Sequence, residues 1–69
     1  MSYGDPRRNY AQEWRAWRTA HGLTQHQLAQ ALGRSPRAIE YIEAGRHRPS
    51  VTSREKMKAL QQRYKEAQV

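Results

Sequence analysis

The chain has 69 residues, enough for one small domain whose core is limited relative to its surface. It has no Cys, which excludes disulfides and Cys-built zinc sites, and His21, His26 and His47 lack the clustering of metal ligands. Thirteen Lys and Arg against six Asp and Glu give a net charge of +7, which favours a polyanionic partner.

The first part of the chain predicts a short leader and then a helix. Residues 1–5 are polar, and we expect them to form a flexible leader. The helix begins either with Asp5 as cap and Pro6 in its first turn, or with Asn9 as cap and Gln12 at the capping-box position. Its apolar stripe at helical spacing consists of Tyr10, Trp14, Trp17 and His21.

Two short helices are predicted next, on either side of a glycine turn. Thr24 with Gln27 forms a capping box for the second helix, while Ser35 caps the third, with Pro36 in its first position. The buried stripe of the pair consists of Leu28, Ala29, Leu32, Ile39 and Ile42. Left-handed glycines are expected to end the first three helices, namely Gly22, Gly33 and Gly45.

A last helix is predicted from the capping box of Thr52 and Glu55. Its apolar stripe, consisting of Met57, Leu60, Tyr64 and Ala67, packs either on its own domain or on a second subunit. We expect dimerisation through Met57, Leu60 and Tyr64, because a small domain leaves little apolar surface to cover Tyr64. The prediction is an all-α single domain over 6–69, with 52–69 as a dimerising C-terminal helix.

The spacing over residues 25–45, QHQLAQALGRSPRAIEYIEAG, is the most informative part of the sequence. Two helices joined by only Gly33 and Arg34 must cross steeply, with Ala29 as the small residue at the crossing. The stretch resembles a helix-turn-helix of the lambda-repressor-like (XRE-type, Cro-like) family. The resemblance extends upstream through WRAWRTAHGLTQ and downstream to Pro49, and it implies a compact DNA-binding domain of four helices, or five.

By this resemblance the third helix is a recognition helix that lies in the major groove. With its two isoleucines facing inward, the helix offers its other side to base edges. Arg37 is the favoured reader of guanine, whereas Glu40 either accepts from cytosine, repels phosphates or pairs with an Arg. Tyr41 contacts a thymine methyl or a phosphate, and Ala38 offers an apolar contact. The candidate base-reading residues are Pro36, Arg37, Ala38, Glu40 and Tyr41.

The candidate phosphate contacts flank this helix on both sides. Gln25 matches a backbone-clamping glutamine of the family, and the positive end of the second helix favours a phosphate there. Arg34 departs from the family, which usually has an aliphatic residue there; either the core is thinner or Arg34 binds phosphate. Arg18 and Glu43 match a structural ion pair of the family. The full set is Gln25, Arg34, Ser35, Arg46, His47 and Arg48.

Several of these features have simpler structural interpretations. Residues 46–48 form either a phosphate clamp or a solubilising charge run, and we favour the clamp because the motif is adjacent. Arg7 and Arg8 are either an accessory DNA arm or a solvated helix start. Trp14 and Trp17 could stack on single strands, but their place on the apolar stripe predicts core packing.

The predicted function is that of a sequence-specific regulator of transcription, most simply a repressor that binds a palindromic operator as a homodimer. The alternatives are an antitoxin, in which the same domain also binds a toxin, and an RNA-binding protein. No paired carboxylates, nucleophile–base pair or phosphate-cradling glycine loop is visible, so neither an enzyme nor a cofactor is predicted. With no long apolar run or signal-peptide core, the expected location is the cytoplasm of a prokaryotic or phage-infected cell.

Overall fold

The computed structural model describes residues 9–67, which form four helices and no strand. The helices are α1 (Tyr10–Ala20), α2 (Gln25–Leu32), α3 (Pro36–Glu43) and α4 (Val51–Ala67). The predicted all-α architecture of four helices is therefore confirmed for this part of the chain. No helix among the described residues is both long enough and apolar enough to cross a membrane.

Helix α1 begins at the second of its two predicted caps. The Asn9 side chain accepts the backbone N–H of Gln12 at 3.0 Å, and its amide donates to the Gln12 side chain at 3.3 Å. The cap thus satisfies one of the N–H groups that a helix start leaves without an intrahelical partner. Asp5 and Pro6, the alternative start, lie outside the described residues.

Helices α2 and α3 begin where the sequence predicts. Thr24 Oγ1 accepts the Gln27 N–H at 3.0 Å, and Gln27 Oε1 accepts the Thr24 N–H at 2.9 Å, which completes the capping box. Ser35 Oγ accepts the Ala38 N–H at 3.2 Å. A proline occupies the first turn of α3, where its missing N–H removes no helical hydrogen bond.

The start of α4 differs from the prediction. The Ser50 hydroxyl accepts the backbone N–H of Ser53 and donates to the Ser53 hydroxyl, both at 3.1 Å, and the helix begins at Val51. Thr52 therefore lies inside the helix, and the predicted capping box of Thr52 and Glu55 is wrong. The physical reason is that Ser53 is buried, and the Ser50 cap lets its hydroxyl enter the core with a partner.

The turn between α2 and α3 has the left-handed glycine that the sequence predicts. Gly33 has a φ of 67°, and the Arg34 N–H bonds back to the Ala29 carbonyl at 2.9 Å. This six-to-one bond is the Schellman motif, which reverses the chain without leaving the last carbonyls of α2 unbonded. The predicted helix-ending glycines, Gly22, Gly33 and Gly45, all have positive φ.

A single apolar core lies between the four helices. Leu28, Leu32 and Ile39 are completely buried, and Ala29 is the small residue beside the turn of α2 and α3. Nine buried hydrophobic side chains form this core, and a domain with no Cys for disulfides depends on their packing. They are Tyr10, Trp14, Leu28, Ala29, Leu32, Ile39, Ile42, Met57 and Leu60, with Trp17 and Tyr64 packed against them. The prediction that the tryptophans serve core packing is confirmed.

The apolar stripe of α4 corrects the predicted dimer surface. Met57 is 3% exposed and Leu60 is 6% exposed, because both side chains pack in the core of their own chain. Tyr64 is half-buried, with its ring 5.2 Å from that of Trp17 and 5.1 Å from that of His21 in edge-on contacts. The domain therefore covers Met57, Leu60 and part of Tyr64, whereas dimerisation itself stays a prediction.

Candidate nucleic-acid interface

The outer face of α3 is the surface that the sequence assigns to base readout. Ile39 and Ile42 are buried, so Arg37 and Glu40 lie on the solvent-exposed side of the helix, with Pro36 half-buried beside them. Within residues 9–67, neither Arg37 nor Glu40 forms an ion pair or a side-chain hydrogen bond. Pairing of Glu40 with an Arg is thus not seen in this part of the chain. Both side chains are available to a ligand.

Tyr41 and Ala38 lie at the edges of this face. The Tyr41 ring is half-buried and lies 5.2 Å from the His47 ring, tilted by 42°. The contact joins α3 to the loop that follows it and limits the directions in which the ring can point. Ala38 is half-buried, and its methyl group leaves only an apolar contact to offer.

The C-terminal end of α3 is held by a buried carboxylate. Glu43 is 3% exposed; its Oε2 accepts from Arg18 Nε at 2.8 Å and its Oε1 from Arg18 Nη2 at 2.9 Å. Arg18 Nη1 also donates to the Leu23 carbonyl at 2.8 Å, so one guanidinium joins α1, the α1–α2 loop and α3. The hydrogen bond to Glu43 raises the pKa of Arg18, which keeps it charged. The two side chains are paired as the resemblance implied.

Gln25 connects the start of α2 to the same carboxylate. Its Nε2 donates to Glu43 Oε1 at 3.1 Å. An amide nitrogen carries two hydrogens, so the second remains available to a phosphate oxygen. The structure therefore places this predicted phosphate contact beside the C-terminal end of α3, to which a single hydrogen bond connects it.

The basic loop leaves α3 at the same end. Arg46, His47 and Arg48 are all exposed, and the Arg46 N–H bonds back to the Tyr41 carbonyl at 2.9 Å. The Arg48 guanidinium carbon lies 5.7 Å from the centre of the Tyr10 ring, within the range of a cation–π contact. The loop thus exposes Arg46 and Arg48, and a backbone hydrogen bond attaches it to α3.

Arg34, the residue that departs from the family pattern, lies at the opposite, N-terminal end of α3. Arg34 is exposed, so its side chain does not contribute to the core and is accessible to a phosphate. Lys56 Nζ from α4 reaches the same turn, 3.6 Å from the position of a Cβ built on Gly33. The Ser35 hydroxyl accepts its capping bond and can still donate its own proton. Cations therefore flank α3 at both ends.

Three residues near the site have no counterpart in the sequence analysis. Arg15 Nη2 donates to the Glu43 backbone carbonyl at 2.7 Å, and Arg54 Nη1 donates to the Tyr10 hydroxyl at 2.8 Å. Lys56 at the glycine turn is the third. The first two contacts join residues 28 and 44 positions apart, and no local pattern signals them. Arg7 and Arg8, the predicted accessory contacts, lie outside the described residues.

Comparison with known proteins gives one match. A family model described as a helix-turn-helix domain matches residues 10–65, a range that includes α1, α2, α3 and most of α4. This match confirms the helix-turn-helix implied by residues 25–45 and is consistent with the lambda-repressor-like family. The comparisons with curated proteins and with solved structures found no match.

Proposed function

The chain belongs to the helix-turn-helix domain family, and we propose that it is a sequence-specific regulator of transcription that binds double-stranded DNA through α3. The observation that carries the proposal is the outer face of α3. Arg37 and Glu40 project from it, free of ion pairs within the described part of the chain, and cations flank both helix ends. A face of this kind suits base edges bordered by phosphates.

The diameter of an α-helix and the width of the major groove of DNA support insertion of α3 into that groove. An α-helix with its side chains is about 10–12 Å across, and the groove is about 12 Å wide. Arg37 would donate two hydrogen bonds to guanine O6 and N7, and Glu40 would accept from cytosine N4. Pro36, Ala38 and the Tyr41 ring supply apolar contacts that suit a thymine methyl group.

Phosphate contacts would fix the position of α3 along the duplex. Gln25 and the Arg46–Arg48 segment lie beyond one end of the helix, and Arg34 and Ser35 lie at the other. Taking Arg34, Arg46 and Arg48 as three phosphate contacts in each subunit, a dimer makes about six, and the slope of log K against log salt is about −5.

The proposed form of the protein on DNA is a homodimer on a palindromic operator, as for other helix-turn-helix proteins. Helix-turn-helix dimers place two recognition helices about 34 Å apart, so that they enter successive major grooves on one side of the duplex. Repression follows in the simplest case, because a protein bound to an operator that overlaps a promoter excludes polymerase. The dimer contacts involve surface other than Met57 and Leu60, which are core residues.

Selection of bound fragments from random double-stranded DNA tests the proposal. We expect one enriched motif made of two inverted half-sites about 10 base pairs apart, centre to centre. Arg37→Ala should lose the preference at one base pair per half-site, while Arg63→Ala, which removes the same charge from an exposed position on α4, should recover the wild-type motif. Binding to all duplexes without an enriched motif would contradict sequence-specific recognition.

A further inference from the structure

We infer that Arg15 is a positioning residue for the recognition helix and determines how well the protein distinguishes its operator from other DNA. The inference rests on the proposed function. Arg15 lies on α1, is largely exposed, and reaches α3 through one hydrogen bond from its Nη2 to the Glu43 carbonyl at 2.7 Å. It acts through the orientation of α3 and not by contact with DNA.

The bond completes the C-terminal end of α3. The carbonyls of the last turn need donors from outside the helix, because no further helical turn follows. Backbone N–H groups of the following residues supply them for Glu40, Tyr41 and Ile42. For Glu43 the donor is Arg15 Nη2, at 2.7 Å. A cation is also electrostatically favourable at the negative end of a helix.

Arg15 and Arg18 together attach the same residue of α3 at two points. They lie three positions apart on α1, which places them on one side of that helix. Arg18 holds the Glu43 carboxylate, and Arg15 holds the Glu43 backbone. One attachment fixes where the end of α3 lies, but leaves the helix free to pivot about it. Two attachments, one to the side chain and one to the main chain, also restrict rotation.

Directional contacts of this kind are needed because the remaining packing is not directional. Ile39 and Ile42 seat α3 on the core through apolar contact, which tolerates small rotations and slides. A hydrogen bond, in contrast, weakens steeply as its distance and angle depart from the optimum. The two arginines therefore supply the orientation that apolar packing leaves loosely defined.

The orientation of α3 matters more for base contacts than for phosphate contacts. A two-bond contact from Arg37 to guanine requires the helix to sit at one depth and one rotation in the groove. The exposed arginines at 46 and 48 can follow a small shift of the helix, because phosphates attract them over several ångströms. Loosening α3 should therefore reduce binding to the operator and leave binding to random DNA nearly unchanged.

The test compares Arg15→Ala and Arg15→Gln with the wild type and with Arg63→Ala. Each variant lowers the charge by one, and Arg63 is exposed on α4, so the comparison cancels long-range electrostatics. The probes are the duplex recovered by selection and a scrambled duplex of the same length and composition. Dissociation constants are measured at several salt concentrations at 10 °C, after circular dichroism has confirmed that each variant is folded.

We expect Arg15→Ala to bind the selected duplex about tenfold more weakly per half-site, the factor that corresponds to the lower end for one hydrogen bond to a charged group. Binding to the scrambled duplex should stay within about twofold, and the salt slope should match that of Arg63→Ala. Arg15→Gln, which retains an amide donor on a shorter side chain, should recover part of the affinity for the selected duplex.

Two results would overturn the inference while leaving the proposed function intact. Equal losses on both duplexes, with a smaller salt slope, would identify Arg15 as a phosphate ligand. If folded Arg15→Ala bound the selected duplex as tightly as the wild type, Arg15 would contribute only to the stability of the domain. A wild-type protein that prefers no duplex over its scrambled control would overturn both the inference and the proposed function.

Discussion

Replacing Arg18 with Met should strongly destabilise the domain, because it leaves the Glu43 carboxylate buried without its cation. The Arg18 side chain is 14% exposed and that of Glu43 is 2% exposed, so water cannot replace the lost hydrogen bonds. Removing one partner of a buried ion pair costs about 3–5 kcal/mol. We expect about 3 kcal/mol, the lower end, because Gln25 Nε2 still donates to the carboxylate.

Urea and thermal unfolding, followed by helical circular dichroism, measure this effect. For a domain of this size a loss of 3 kcal/mol lowers Tm by about 12–24 °C. Adding Glu43→Gln should restore about 1–2 kcal/mol, since the double variant no longer buries an uncompensated charge. Arg63→Met, which removes an exposed cation from α4, should stay within about 0.5 kcal/mol of the wild type. An Arg18→Met protein within about 1 kcal/mol of the wild type would show that the buried Glu43 carboxylate does not depend on Arg18 for its stability.

Three further changes probe other parts of the structure. Ser35→Ala removes the cap of α3 and should cost about 1 kcal/mol in urea unfolding; an unchanged midpoint would show that Ser35 does not cap in solution. Gly33→Ala has room for its Cβ but needs a left-handed φ, so it should cost about 1–2 kcal/mol by the same assay, and a neutral effect would contradict the turn geometry. Arg48→Ala should weaken binding to every duplex and reduce the salt slope by about 1 per subunit, whereas a loss confined to the selected duplex would argue for base contact.

The helices could be predicted because their start and stop signals are local. Each capping residue of α1, α2 and α3 accepts a hydrogen bond from a backbone N–H three positions along the chain. A glycine with positive φ follows the C-terminal end of each of these helices, and glycine is recognisable from the sequence alone. The start of α4 shows the limit of such signals. Ser50 and Thr52 are both good caps, and the choice between them depends on whether the Ser53 hydroxyl is buried, which is a tertiary property.

The candidate site was predictable where it depends on helix periodicity and not where it depends on distant contacts. Because Ile39 and Ile42 face the core, helix periodicity places Arg37 and Glu40 on the solvent-exposed side of α3. Arg15 donates its hydrogen bond to a backbone carbonyl. Because every residue type has a backbone carbonyl, no pattern of side chains in the sequence predicts this bond. The cover over Tyr64 could not be predicted for a related reason. Only the fold shows that the rings of Trp17 and His21 pack against it near the end of α4.

DNA recognition through α3 is tested most directly by the ratio of dissociation constants for the selected duplex and its scrambled control at physiological salt. Sequence-specific recognition through α3 predicts that the wild type binds the selected duplex at least about a thousandfold more tightly. Arg37→Ala should lower this ratio by about tenfold or more per half-site, because it removes the two-bond contact to guanine. A wild-type ratio near one, or a ratio that Arg37→Ala leaves unchanged, would contradict the assignment of α3 as the reading helix.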